Sequence, residues 1–173
     1  MRRRVALTAG LAGLSALALG LVVGNSARAG DPDPKPVTRM TVRGLTDRAT
    51  LTSICGTASN GGDFCGITDG RFVGKLPVEP RDVVRVRTRP GAGRVRAYLV
   101  RLRANDQIAD WIDWNRRATE VKGSNGHRWR FRLPHRLEDA NAIHLFVHYP
   151  GGAPYPGGYT VRQATYTSRV VHD

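Results

Sequence analysis

An all-β fold, two antiparallel sheets packed as a sandwich, is predicted by three features of the sequence. In Val84-Arg85-Val86-Arg87-Thr88-Arg89 and in Trp129-Arg130-Phe131-Arg132-Leu133, apolar residues alternate one for one with arginine, the period-two pattern of a strand with one dry face. Turn-forming residues recur between such stretches, at Asn60-Gly61-Gly62, Asp69-Gly70, Arg89-Pro90-Gly91-Ala92-Gly93, Asn125-Gly126 and Pro150 to Gly158. No convincing amphipathic helix separates the strands, which points to a sandwich or barrel rather than to alternating strands and helices.

The chain opens on Arg2-Arg3-Arg4, runs uncharged from Val5 to Ala27, and reaches Ala27-Arg28-Ala29. A basic head, an apolar middle and a small-x-small end predict a secretory signal peptide over residues 1–29. The apolar run is diluted by Gly10, Gly13, Gly20 and Gly24, and no basic stop-transfer cluster follows, so cleavage is expected and no membrane span should remain in the mature chain. Arg3-Arg4-Val5-Ala6-Leu7 loosely resembles a twin-arginine export signal. Residues 30–36 contain Pro32, Pro34 and Pro36 and read as an extended spacer. Residues 37–173 are expected to form one β-sandwich domain.

Strands are predicted over Val37–Val42, Ala49–Gly56, Phe64–Thr68, Arg71–Lys75, Val83–Thr88, Arg94–Leu102, Gln107–Asp113, Arg128–Leu133, Ile143–Tyr149 and Tyr159–Thr167. Residues Arg136 to Ala142 suit one helical turn, and Ala109 to Arg117 suit either a bulged strand or a short helix. Cys55 and Cys65, the only cysteines, flank Asn60-Gly61-Gly62 in a chain expected to be exported. They predict a disulfide hairpin, since no Cys-x-x-Cys and no neighbouring His or Lys favours redox chemistry.

The whole chain carries 27 basic and 14 acidic side chains, a net charge of +13, and loss of the four arginines of residues 1–29 leaves +9. Lysine occurs only at Lys35, Lys75 and Lys122, so the basic surface is arginine. Arg85, Arg87 and Arg89 share one side of their strand, and Arg128, Arg130 and Arg132 one side of theirs. If both strands lie in one sheet, these groups face one solvent and could hold a polyanion through the guanidinium fork. Charge alone favours the plainer reading, since it speaks to solubility and non-specific binding and not to a site. Nucleic acid is disfavoured as the partner, because Trp129 and Phe131 alternate with the arginines and so point to the opposite face.

Asp110-Trp111-Ile112-Asp113-Trp114-Asn115 places carboxylates beside aromatic rings, as sugar-binding clefts and glycosidases do. Asp110 and Asp113 would be the acids of a carbohydrate-active enzyme, although no second acidic aromatic cluster supplies an opposite wall. On a strand, one of Trp111 and Trp114 enters the core and the other points out. His144 and His148 alternate with Ile143, Leu145 and Val147 on one strand. At about 3.3 Å per residue they stand roughly 13 Å apart on the solvent side, too far to share a metal. The stretch Pro150 to Gly158 reads as a long loop that displays Tyr155 stiffly between Pro154 and Pro156. No nucleophile elbow, phosphate loop or calcium loop is present, so no cofactor is expected.

In composition and strand pattern the chain resembles small secreted proteins of high-GC bacteria with an immunoglobulin-like antiparallel β-sandwich. No family motif accompanies that resemblance. The first functional expectation is an exported, non-catalytic domain that binds a polyanion or glycan of the cell envelope. Its candidate binding residues are Arg85, Arg87, Arg130 and Arg132, together with Trp111, Trp114 and Tyr155. The alternatives are a carbohydrate-active enzyme at Asp110 and Asp113, or a protease inhibitor presenting the disulfide hairpin or the Pro150 to Gly158 loop.

Overall fold

The structure, a computed structural model, describes residues 38–67, 72, 74–155 and 157–172. The expected signal peptide and spacer lie outside the described residues. Eleven strands and no helix are found among the described residues: β1 Thr38–Val42, β2 Leu45–Thr57, β3 Asp63–Ile67, β4 Lys75–Pro77, β5 Val83–Arg87, β6 Arg94–Leu102, β7 Ile108–Arg117, β8 Thr119–Glu120, β9 Arg128–Arg132, β10 Ala142–Tyr155 and β11 Tyr159–Val171. The fold is all-β, the antiparallel sandwich that the alternation predicts, made by one curled sheet. All pairings are antiparallel except that of β4 with β11.

The hydrogen-bonded path runs β7-β6-β10-β11-β2-β1-β5-β9-β8, and the long strand β2 joins its two halves. Residues Leu45 to Ala49 of β2 pair with β1, whereas Thr50 to Thr57 pair with β11. A first sheet thus holds β1, β5, β9 and β8, and a second holds β7, β6, β10 and β11, with β3 at the edge against β2. Leu45 to Arg48 show no apolar alternation, so the sequence alone did not mark them as strand. Their pairing is imposed by a two-residue turn at Arg43-Gly44, with φ of 49° and 86°, the left-handed pair that a tight hairpin requires. Arg43 in place of the usual Asn or Asp concealed that turn. Its guanidinium is held by Glu79 and Asp82.

Alternation sorts the side chains as predicted. Val84, Val86, Trp129, Phe131 and Leu133 from the first sheet meet Leu145 and Val147 from the second in one buried core, while Arg85, Arg87, Arg130 and Arg132 are exposed. Met40, Val95, Ala97, Leu99, Ile143, Tyr149 and Tyr166 complete its centre. Burying apolar surface of this kind contributes roughly 25 cal/mol per Å². Burial raises the Tyr149 and Tyr166 phenols above their ordinary pKa and keeps both neutral.

Two local readings are corrected, and a third, left between two alternatives, is decided. Arg136 to Ala142 form no helical turn: Ala140 N–H bonds Leu137 O at 3.0 Å and Glu138 takes φ 50°, a left-handed conformation that ends any helix. Pro150 to Gly158 is not a long loop, because β10 continues to Tyr155 and pairs Tyr155 with Tyr159, leaving only a short turn. The irregularity between His148 and Ala153 absorbs the Pro150-Gly151-Gly152 stretch as a bulge. Ala109 to Arg117 is strand, with shifts in register against β6 that accommodate its mixed pattern.

Cys55 and Cys65 face each other directly across β2 and β3 and are bonded, with Cα atoms 4.1 Å apart. The separation is slightly below the usual 4.4 Å minimum. Asn125-Gly126 is a turn as predicted, with φ of 49° and 67°. The Gly126 peptide is a hub: its carbonyl accepts from Trp129 Nε1 at 3.0 Å and from Thr88 Oγ1 at 2.8 Å, and its N–H donates to Glu120 Oε1.

Candidate functional site: an arginine field on the first sheet

Strand register decides which arginines are neighbours. Arg48 of β2 lies opposite Arg39 of β1, Arg39 opposite Arg87 of β5, and Arg87 opposite Arg128 of β9. Four guanidinium-bearing residues therefore form one row across four strands. At about 4.8 Å per strand the row spans roughly 14 Å at the backbone. The next row carries Thr41, Arg85, Arg130 and Thr119 on successive strands, and Arg132 lies opposite Val83 beyond it. All seven arginines are exposed.

Counting by two along each strand puts Arg85 and Arg87 on one face and Arg128, Arg130 and Arg132 on another, and the pairing of β5 with β9 brings them together. The structure adds Arg39 of β1 and Arg48 of β2; their pairing with each other, and that of Arg39 with Arg87 of β5, are not visible in the sequence. Arg89 departs from the expectation: its guanidinium donates to the Pro154 carbonyl on β10, away from the field. Among the described residues, none of the seven forms an ion pair, since the acidic partners go to Arg43, Arg101 and Arg169. Asp47, the acidic residue of β2, is opposite buried Met40 and accepts from Ser168 Oγ, so it faces away.

A groove of about 750 Å³ runs along this face, lined by Thr41, Arg85, Arg87, His127, Arg128 and Arg130 among others. At its end Arg87 Nε donates to His127 Nε2 at 2.7 Å, which fixes Arg87 and requires that ring nitrogen to be unprotonated. The Gly126 hub anchors the same end of the groove. The arrangement presents a row of guanidiniums in register, without an ion pair among the described residues, suited to a string of anionic groups.

The other candidate residues lie elsewhere. Trp111 is 52% exposed on the outer side of the second sheet. Trp114 packs inward, its ring 6.2 Å from that of Phe131. This is the in-and-out division expected of two tryptophans on a strand. Tyr155 is half-buried against the core rather than displayed. Asp110 is held by Arg101, which also reaches Asp139 at 3.4 Å, and Asp113 is exposed on the same strand. A carboxylate occupied by a guanidinium is poorly placed to donate a proton to a leaving group.

His144 corrects an expectation. It does not face solvent but is 5% exposed, under the rings of Trp111 and Phe146 at 5.3 and 5.1 Å. Its Nδ1 bonds Thr167 Oγ1 at 2.7 Å, and burial lowers its pKa to about 4. Among the described residues no group of His, Cys, Asp and Glu is arranged to hold a metal.

No protein-family model matches this chain, nor does any curated protein sequence. Among solved structures, the chain is similar to a glycoside hydrolase family 61 member, Cel61B from Hypocrea jecorina, at a TM-score of 0.42 and 9% sequence identity, over 80% of this chain and 81% of that one.

Proposed function

We propose that this protein is an exported, non-catalytic domain that captures linear polyanions of the cell envelope on the arginine field of its first sheet. One observation carries this reading: Arg48, Arg39, Arg87 and Arg128 stand in register on four adjacent strands, with no carboxylate paired to any of them among the described residues. Like charges directly opposite one another on a sheet cost stability. A surface kept only for solubility would intersperse both signs. An anionic chain laid across the strands would neutralise the row and release its own counterions.

The test is a salt titration of binding to immobilised heparin. With about four charge contacts, affinity should fall on the order of a hundredfold between 50 and 200 mM salt. The triple variant Arg39→Ala/Arg87→Ala/Arg128→Ala, which removes three of the four arginines of that row, should lower the log–log salt slope by about three. A flat salt dependence, or a triple variant with unchanged affinity, would overturn the proposal.

A further inference from the structure

We propose that the outer face of the second sheet carries a separate site for a pyranose bearing a carboxylate, built from Trp111, Tyr98 and Phe146 with Arg94 and Arg96 at its rim. The rings come from three neighbouring strands. Tyr98 of β6 meets Trp111 of β7 at 5.4 Å and Phe146 of β10 at 5.3 Å, both edge to face, and buried His144 closes the cluster beneath. These contacts fix the half-exposed indole of Trp111 as a preformed platform, so little side-chain freedom remains to be lost on binding. A half-exposed tryptophan held in this way has no structural need of its solvent-facing side.

Beside the platform lies a cleft of about 140 Å³, lined by Arg94, Arg96, Tyr98, Phe146, His148 and Gln163. Register produces it: Arg96 is opposite Phe146, and Arg94 is opposite His148, which in turn is opposite Gln163. Two guanidiniums, an imidazole and a carboxamide line one wall with no carboxylate among the lining residues, and neither arginine is ion-paired among the described residues. A pyranose with equatorial hydroxyls presents C–H groups on its faces, which suit the negative face of an aromatic ring. Its carboxylate, in the ring plane, would meet the guanidinium fork. Single-stranded nucleic acid fits less well, because it needs successive exposed ring faces, and of these rings Trp111 alone is exposed while Tyr98 and Phe146 are half-buried.

This site is on the opposite sheet from the arginine field, and the two are tested independently. Calorimetry would compare a β-1,4-linked glucuronic acid trisaccharide with its methyl ester. The acid should bind and quench tryptophan fluorescence, the ester at least tenfold more weakly. Trp111→Ala should abolish binding, and Arg94→Gln/Arg96→Gln, exposed positions that leave the core intact, should erase the preference for the acid. Arg39→Ala/Arg87→Ala/Arg128→Ala should bind the trisaccharide as wild type does, whatever its effect on heparin. The proposal fails if the trisaccharide does not bind at millimolar concentration, if acid and ester bind equally, or if the Arg94/Arg96 variant matches wild type. It also fails if a short oligothymidylate displaces the sugar and binds more tightly.

Discussion

Acidification should cost this fold the stability that an uncharged His144 permits. The ring lies under Trp111 and Phe146 and is bonded through Nδ1 to Thr167, and desolvation lowers its pKa from 6.5 to about 4. In the unfolded chain the same imidazole takes a proton below about pH 6.5. The unfolded state therefore binds more protons between the two values, so stability is full above about pH 6.5 and falls as the pH drops toward 4. A displacement of this size corresponds to about 3 kcal/mol in all, of which about 2 kcal/mol is lost by pH 5. Urea unfolding followed by far-ultraviolet circular dichroism, on wild type and His144→Gln at pH 7.5, 6 and 5, measures it. Carboxylates titrate in both proteins, so the difference between them isolates His144. The variant should be the less stable at pH 7.5, and the gap should narrow by about 2 kcal/mol at pH 5. Parallel pH profiles would refute the account.

Three further outcomes follow from the packing. Gly126→Ala should destabilise by about 2 kcal/mol or more, because φ is +67° there and an added Cβ would stand 2.2 Å from the Ala92 carbonyl oxygen; an unchanged melting temperature would contradict that turn geometry. Cys55→Ala/Cys65→Ala should lose about 3 kcal/mol or less on the loop-entropy account, and hydrogen exchange should quicken first in β3, which pairs with β2 alone. Arg39→Thr should raise stability at low salt by about 0.5 to 1 kcal/mol, since it removes two like-charge pairs, with Arg48 and Arg87. That gain should vanish in 1 M salt, where screening is nearly complete, and a gain that persisted would be propensity rather than charge.

The parts of this fold that could be read from sequence are those in which a local pattern and the tertiary environment agree. Alternation in β5 and β9 decided both the strand and the buried side, because one face met the core and the other met water. The disulfide was legible because a short turn left its cysteines little choice of partner. Legibility failed where pairing rather than composition created the strand. Leu45 to Arg48 extend β2 only because Arg43-Gly44 folds them back onto β1. The Gly- and Pro-rich end of β10 is held as strand by β11. His144 departs from its pattern for a different reason. Alternation places it on the outer side, but that side is not wet here, because β7 carries Trp111 across it.

The candidate site was half legible for a related reason. Which arginines share a strand face is a matter of counting by two. Which of them become neighbours depends on register between strands far apart in sequence, such as Arg39 beside Arg87 and Arg87 beside Arg128. A shift of one residue in either pairing would turn a row of guanidiniums toward the core, so the buried Met40, Val86 and Trp129 on the alternate positions enforce the register. The core thus compels a stack of like charges that local electrostatics opposes. Each direct pair costs a few tenths of a kcal/mol or more, a load the apolar burial behind it can carry. An anionic chain crossing the strands would convert that repulsion into binding free energy, because the strands already hold the charged residues in register. On this account the residues that specify the fold and those that bind the polymer occupy alternate positions of the same strands. Substitutions at the arginines should therefore separate binding from stability, whereas those at their buried neighbours should not.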